Sequence, residues 1–464
     1  MATPRKSGIG ARPRFLLKIA RRMYSIAASW LLVPLAVTLV GVMVIDPSTK
    51  RIMGPDQFKI YVVGDFDDDL LQDPHDPASS IPSPAEQIFE SFNSSGISQS
   101  KVDDTQLEVV KENDHGDSAQ DGTIAQQLAA EPDTLMIIGA MGSTAAKTAF
   151  PFYLNAKPPI PVILTMETSP HLLPAVVGDE EGFRPVFRLS PTDYKQAQAV
   201  AELMDKSGAQ KIWVVEDTDN RVYADFLAEE FIRRVQKSGQ SRVLLWSTNA
   251  TDPTSDHVHA LGIDWVFFIG RWQRALVLVR ELKAVYGPSV PGIVLSDTSV
   301  DKELINEGAN DVEKVYLTNQ MSATDYKDGN GYRSYGEDAG SVVKELLSNI
   351  TTSSSCDEKV RGGGFAYKVR RLFGIKRVAD ARRAMIAVMH EESDRNKLFI
   401  LTGRPPIQFG SDKDQDPSER GLRVDANAKF QIWRIMPNRH ASDAFTESGS
   451  DSSSLIFSSL VDSH

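Results

Sequence analysis

Short apolar runs alternate with amphipathic stretches along much of this chain, and this alternation limits its fold more than any other feature. Short apolar runs bounded by turn residues are typical of buried strands, and helices inserted between strands indicate parallel pairing. The first series predicts strands at 58–63, 107–110, 135–138 and 162–164, and helices at 85–92 and 123–130. We therefore predict an α/β fold built on parallel sheets.

A second series of the same kind follows the segment Arg188-Leu189-Ser190-Pro191. It predicts strands at 212–215, 242–246, 265–269 and 293–295, and helices at 194–206, 224–236 and 275–285. Two such series predict two doubly wound parallel-sheet lobes. Further along, apolar spacing predicts a helix at 378–390, and glycine and aspartate turns predict short β segments within 399–433. We expect lobe 1 to comprise 57–188 with 320–398, and lobe 2 to comprise 189–319 with 399–436.

The N-terminal part contains an uncharged apolar run, Met23 to Ile45, that is long enough to span a membrane. Most of the nearby basic residues precede this run, so the positive-inside rule places residues 1–22 in the cytoplasm and the chain beyond a 46–56 linker outside. A cleavable signal peptide is the alternative. The length of the run and the lack of a small-x-small site at its end favour an uncleaved anchor. We predict a single-pass inner-membrane protein with a periplasmic C-terminal part and a disordered tail at 437–464.

Composition and motifs exclude several function classes. The net charge of -11 argues against a general nucleic-acid binder, and the single cysteine, Cys356, excludes an intramolecular disulfide and a cysteine-based zinc site. The basic segment 359–383 is interpreted as a solvated insert rather than a lipid or nucleic-acid patch. No G-x-S-x-G, H-E-x-x-H, Walker A or G-x-G-x-x-G motif is present. We predict a protein that is not an enzyme and that has no cofactor and no metal.

Polar residues follow several predicted strands at their carboxyl ends, where ligands bind in open α/β sheets. In lobe 1 these residues are Ser143 and Thr144 in one loop, and Thr165, Glu167 and Thr168 in the next. In lobe 2 they are Tyr223, Arg271, Trp272 and Asp297. A ligand between the lobes would meet both sets.

The chemistry of these groups suits an amino acid. The hydroxyls of Ser143 and Thr144, together with the amides of a helix start, suit a carboxylate. Asp297 suits an ammonium group, and Tyr223 and Trp272 suit an apolar or cationic side chain. Simpler interpretations stay open: Gly-Ser-Thr and Asp297 as helix N-caps, and Arg271 and Glu167 as solvated rim charges.

The chain resembles the type I periplasmic binding proteins from about Phe58 to Trp433, especially the leucine/isoleucine/valine-binding branch that serves branched-chain amino acid ABC transporters. The resemblance is carried by four stretches in order: Ile138 through Ser143 with the following helix, Phe187 to Asp193, Val214 to Phe231, and Trp265 to Leu282. It implies two lobes joined by three hinge strands that close on a small ligand.

The resemblance also implies roles for individual residues. It implies that Ser143 holds the ligand's carboxylate with Thr165 and Thr168, and that Asp297 takes its amino group while Tyr223 lies before a helix of lobe 2. The chain departs from the family pattern in three places. Arg271 replaces an aromatic residue, the loop with Glu167 is one residue short, and the acidic segment 65–69 replaces a glycine-rich start.

These departures argue against a branched-chain amino acid and for another polar ligand, for example one with an added anionic group near Arg271. We expect a membrane-tethered extracytoplasmic solute-binding protein for ABC-type uptake or sensing. Its expected partners are an amino-acid-like ligand and an ABC permease or membrane sensor. The alternatives are a binding-protein fold reused as a ligandless scaffold or sensor ectodomain, and an enzyme.

Overall fold

The fold is taken from a computed structural model that describes residues 57–67, 82–102, 105–172, 185–218, 220–248, 255–301, 304, 307–313, 315–320, 332–352, 378–394, 398–399, 407–408 and 430–435. The predicted anchor at 23–45, the segments on either side of it and the predicted tail at 437–464 lie outside these residues. So does most of the basic segment 359–383. Among the described residues, no helix is long and apolar enough to cross a membrane.

Lobe 1 is built on a six-stranded sheet with the strand order β2-β3-β1-β4-β5-β6. All its neighbouring strands pair in parallel except β2 with β3. Its elements are β1 Gln57–Gly64, α1 Pro84–Ser94, β2 Lys101–Val102, β3 Thr105–Asn113, α2 Ser118–Ala130, β4 Thr134–Ile138, α3 Ser143–Asn155, β5 Val162–Leu164 and β6 Val186–Arg188. The central strand β4 is buried throughout, which explains its uninterrupted apolar sequence.

Lobe 2 is built on a second six-stranded sheet, with the order β14-β11-β10-β9-β7-β8, in which the edge strand β14 is Gln431–Arg434. Its elements are α4 Asp193–Lys206, β7 Lys211–Asp217, α5 Arg221–Ser238, β8 Arg242–Ser247, α6 Ser255–Leu261, β9 Trp265–Gly270, α7 Trp272–Tyr286, β10 Gly292–Leu295 and β11 Tyr316–Asn319. The sheet is parallel except at its edge, where β11 pairs antiparallel with β14. The predicted α/β class with two sheet-based lobes is confirmed.

The rest of the chain returns to lobe 1 and then to lobe 2. Helix α8, Arg333–Thr352, packs against α1, and helix α9, Val378–Asp394, packs against α8 and β4. The strands β12 Leu398–Phe399 and β13 Ile407–Gln408 pair with each other, and β14, Gln431–Arg434, completes the second sheet. The predicted residue boundaries between the lobes stay predictions.

Candidate functional site

The loop between β4 and α3 brings Ser143 and Thr144 to the carboxyl edge of the first sheet. Gly139 has a positive φ of 106°, and a Cβ there would collide with the carbonyl oxygen of Val63, so only glycine fits. The N-cap of α3 is Gly142, and no side chain caps the helix locally. Gly142 of the Gly-Ser-Thr triplet is thus the N-cap residue, whereas Ser143 and Thr144 lie inside the first turn and their hydroxyls do not cap the helix.

Thr144 connects lobe 1 to the start of α5 in lobe 2. Its backbone N–H and its hydroxyl both donate to Oδ1 of Asn220, at 2.9 and 3.0 Å. The Thr144 hydroxyl accepts in turn from the N–H of Val222 at 3.1 Å. Ser169 adds a bond from its hydroxyl to the Val222 carbonyl oxygen at 2.9 Å. The N-terminal turns of α3 and α5 therefore meet directly across the two lobes.

The loop after β5 is buried and tied to the segment that crosses between the lobes. Thr165, Glu167 and Thr168 have at most 2% of their surface exposed. The carbonyl oxygen of Thr168 accepts from the Asp193 N–H at 3.0 Å, and the carbonyl oxygen of Glu167 accepts from the Ser190 hydroxyl at 2.7 Å. Ser143 belongs to the same cluster, because its hydroxyl accepts from the Ser169 N–H at 3.4 Å.

Glu167 is a buried acid, so its interpretation as a solvated rim charge is wrong. Burial raises the pKa of its carboxyl to about 7, against the opposing effect of backbone amides in its own loop and of Arg188. The guanidinium of Arg188 is itself fully buried and donates to the carbonyl oxygens of Thr168 and Ser169, at 3.3 and 2.6 Å. The loop thus contains a buried acid, and a buried cation from the end of β6 is hydrogen-bonded to it.

Tyr223 and Asp297 are hydrogen-bonded to each other in lobe 2. Tyr223 lies in the first turn of α5, is buried, and donates its hydroxyl to Oδ1 of Asp297 at 2.5 Å. The Gln196 amide donates to the same Asp297 oxygen at 3.0 Å and to the Thr318 hydroxyl at 2.7 Å. Gln196 was not predicted as a site residue. Its position one helical turn after Asp193 at the start of α4 places it on the same face of the helix, and this spacing can be seen in the sequence.

Two carboxyl groups in this part of the site have raised pKa values. Burial raises the pKa of Asp297, although hydrogen bonds from Tyr223 and Gln196 oppose it. Burial also raises the pKa of the fully buried Asp193 well above its ordinary value, and the charge of Asp297 adds to the effect. A cation placed beside partly exposed Asp297 would favour the ionised form, so the site is chemically suited to an ammonium group.

The loop between β9 and α7 stands apart from this hydrogen-bonded group. Arg271 is exposed at the N-cap position of α7, as expected for a solvated rim charge, and its side chain does not cap the helix. Trp272 is half-buried against the core. The loop is nevertheless joined to the Asp297 turn, because the Thr298 hydroxyl donates to the Gly270 carbonyl oxygen at 3.0 Å. The roles of all nine candidate residues in binding stay predictions.

Comparison with known families gives one match. The family model described as periplasmic binding protein matches residues 79–341, which is more than half of the 464 residues. No curated protein matches the chain significantly.

Solved structures with the same fold cover most of the chain at low sequence identity. The leucine-binding protein LivK from Thermotoga maritima is 16% identical, with a TM-score of 0.58 over 82% of this chain and 95% of that one. The isoleucine complex of LivJ from Streptococcus pneumoniae is 14% identical, with a TM-score of 0.54 over 84% and 98%. A solute-binding protein from Rhodopseudomonas palustris with 3,4-dihydroxybenzoic acid is 14% identical, with a TM-score of 0.56 over 83% and 94%. At these identities the similarity establishes the fold.

Proposed function

The chain belongs to the periplasmic binding protein family, and we propose that it is an extracytoplasmic solute-binding protein, tethered to the inner membrane, that closes on a small polar ligand. One observation carries the proposal. The amide and hydroxyl of Thr144 at the start of α3 in lobe 1 bond to the start of α5 in lobe 2, where Tyr223 is bonded to Asp297. Candidate binding groups from both lobes are thereby gathered in one region of the molecule.

The ligand that these groups favour is an amino acid or a related compound. The first turn of α3 offers amides and hydroxyls to a carboxylate, and Asp297 offers its carboxylate to an ammonium group. The solved relatives are described with leucine, isoleucine or 3,4-dihydroxybenzoic acid, and all three ligands carry a carboxylate. This shared group supports a carboxylate subsite near Ser143.

The proposed mechanism is closure. A ligand that contacts both lobes stabilises the closed form and shifts the population toward it. The closed form is then presented to an ABC permease or a membrane sensor. The apolar run at 23–45 would hold the receptor near that partner and raise its effective concentration.

A ligandless scaffold is the second candidate, and one observation favours it. The lobes contact each other directly through Thr144 and Asn220. A scaffold would hold this contact permanently, whereas a receptor must open it to admit a ligand.

Ligand-induced thermal stabilisation of the purified chain tests the proposal. L-amino acids and hydroxybenzoates are added singly, and a ligand should raise the melting temperature according to its affinity. Ser143→Ala should weaken binding by about 1 to 3 kcal/mol if its hydroxyl holds the carboxylate. Asp297→Asn should weaken the binding of an amine-bearing ligand but not the binding of a hydroxybenzoate. Glu229→Gln, an exposed change on α5, is the control.

The outcomes separate the candidates. If none of the compounds stabilises the protein, the receptor proposal is wrong and the scaffold is favoured. If a bound compound is chemically converted, the protein is an enzyme. If Asp297→Asn lowers the affinity for amine-bearing and amine-free ligands equally, Asp297 does not bind the ammonium group.

A further inference from the structure

We propose that Asn220 holds the two lobes together in the absence of ligand by occupying the helix terminus that a ligand's carboxylate would otherwise take. The first half of this inference concerns the ligand-free protein alone. The second half rests on the proposed function, because only there does a carboxylate bind at α3.

Helix α3 receives its cap from the other lobe. Its own N-cap residue is Gly142, which has no side chain to accept from the free amides of the first turn. Oδ1 of Asn220 accepts from both the amide and the hydroxyl of Thr144. A helix N-terminus favours negative or partly negative groups, and a side-chain amide oxygen is one. Asn220 therefore supplies the chemistry of a ligand carboxylate from within the chain.

Asn220 does not cap its own helix. Asparagine at an N-cap position ordinarily accepts from the second or third amide of the helix that it begins. Asn220 is the N-cap residue of α5, yet its side chain makes no such bond and is directed to lobe 1. Its backbone is held in place, because its N–H donates to the Thr218 hydroxyl at 3.1 Å.

Neighbouring contacts make the junction cooperative. The Val222 N–H and carbonyl oxygen bond to Thr144 and Ser169 of lobe 1. His171 of lobe 1 packs edge-on against Phe226 of α5, with ring centroids 4.6 Å apart. Separation of the lobes would break these contacts together with the Asn220 bonds, so several residues of the chain itself stabilise the contact between the lobes.

The consequence for binding is competition within the molecule. A carboxylate that binds at the start of α3 must displace Asn220, so the apparent affinity is reduced by the fraction of molecules in which this contact is formed. Asn220 would thus set ligand affinity while lying outside the residues that the sequence identified as ligand contacts.

Interlobe distance measurement by pulsed electron paramagnetic resonance on the ligand-free full chain tests the inference. Spin labels replace Lys147 on α3 and Glu229 on α5, both exposed, in a Cys356→Ser background. Asn220→Ala should add a population at longer distance, with the closed-to-open ratio falling about tenfold. Asn220→Asp keeps an acceptor oxygen and should keep the closed distance.

The control is Thr148→Val, because the Thr148 hydroxyl bonds only to the carbonyl oxygen of Thr144 within α3. This change should leave the distance distribution unaltered. If Asn220→Ala folds poorly, the pair Thr144→Val and Thr144→Ser tests the same contact from lobe 1, and only the valine variant should open.

An unaltered distribution in Asn220→Ala, or in Thr144→Val where that pair is used, would overturn the inference. Equal opening in Asn220→Asp and Asn220→Ala would also overturn it, because the acceptor oxygen would then not matter. The measurement uses no ligand. A compound screen without hits would therefore contradict the proposed receptor function and leave the distance result intact.

Discussion

At the scale of single residues, Glu167 places an acid where solvent does not reach it. The residue is 1% exposed, and burial raises the pKa of its carboxyl from 4.5 to about 7. Its Oε2 accepts from the Met166 N–H at 2.9 Å, so the side chain is folded back onto its own loop. The protonated form is favoured in the folded protein, and the ionised form is penalised by lost hydration.

Glu167 should make the folded protein less stable as the pH rises. Because its pKa is raised on folding, its stabilising contribution is complete below its unfolded pKa and is lost as the pH rises through 7. The glutamine in Glu167→Gln is neutral at every pH. The free energy of unfolding of this variant, relative to the parent, should therefore rise by roughly 3 kcal/mol as the pH goes from 4.5 to 8. Urea unfolding at a series of pH values measures this difference.

Glu229→Gln is the matched control for this prediction, because Glu229 is exposed. The difference in free energy of unfolding between Glu229→Gln and the parent should not change comparably with pH. A constant difference between Glu167→Gln and the parent over the same range would show that folding does not raise the pKa of Glu167.

At the scale of elements, α8 lies close to α1 because two glycines of α8 face α1. A Cβ on Gly336 would collide with the Ser91 hydroxyl and with the backbone carbonyl of Ile88, and a Cβ on Gly340 would lie 2.6 Å from the Ser95 hydroxyl. Glycine costs helix propensity at both positions, and close helix packing offsets that cost. This contact anchors the returning part of the chain to lobe 1.

Gly336→Ala should lower the free energy of unfolding by about 2 kcal/mol or more, since the backbone of α1 cannot yield as a flexible side chain would. Gly122→Ala in α2 is the control. Its added Cβ would meet two side-chain atoms, the Thr148 methyl at 3.3 Å and a ring carbon of Phe152 at 3.7 Å, so the gain in helix propensity should leave stability within about 1 kcal/mol of the parent. Denaturant unfolding measures both. A loss in Gly336→Ala no greater than in the control would contradict the packing argument.

The sequence predicted some elements and missed others for different reasons. The predicted strand at 58–63 is β1, Gln57–Gly64, and the predicted helix at 194–206 is α4, Asp193–Lys206. Helix α8 was missed although it repeats buried positions at helical spacing, namely Tyr335, Ala339, Val342, Val343, Leu346 and Leu347. Strand β11 has four residues, too few for a clear period, and only its pairing with β10 and β14 identifies it.

At the scale of the whole molecule, lobe 2 is completed by the C-terminal part of the chain. Strand β14 pairs antiparallel with β11 at the edge of the second sheet, and Trp433 of β14 is 1% exposed. More than 100 residues separate the two strands in sequence, and α8 and α9 of lobe 1 lie between them. The stability of lobe 2 therefore depends on a segment that follows part of lobe 1.

Trp433→Ala should lower the free energy of unfolding by about 3 to 5 kcal/mol, because it removes a buried indole and leaves a cavity at the sheet edge. Trp433→Phe keeps an aromatic ring in the same place and should cost clearly less. Guanidinium unfolding followed by circular dichroism measures both. A loss below 1 kcal/mol in Trp433→Ala would mean that β14 adds little to the second sheet.

Local sequence patterns are sufficient to predict the α/β class, the two series of elements and the loops that end at the carboxyl edges of the strands. These features follow from the periodicity of apolar residues and from turn residues, which act over a few neighbouring positions. The need for glycine at position 139 is not local in sequence, because the carbonyl group that excludes a Cβ there belongs to Val63 of β1.

The choice of hydrogen-bond partners among the polar groups depends on contacts between distant parts of the chain. Thr144 and Asn220 are 76 residues apart, and Tyr223 and Asp297 are 74 apart. Neither the direction of the Asn220 side chain nor the burial of Glu167 leaves a local pattern. Both depend on how two separately wound sheets lie against each other, and that placement is set by the packing of surfaces from distant parts of the chain.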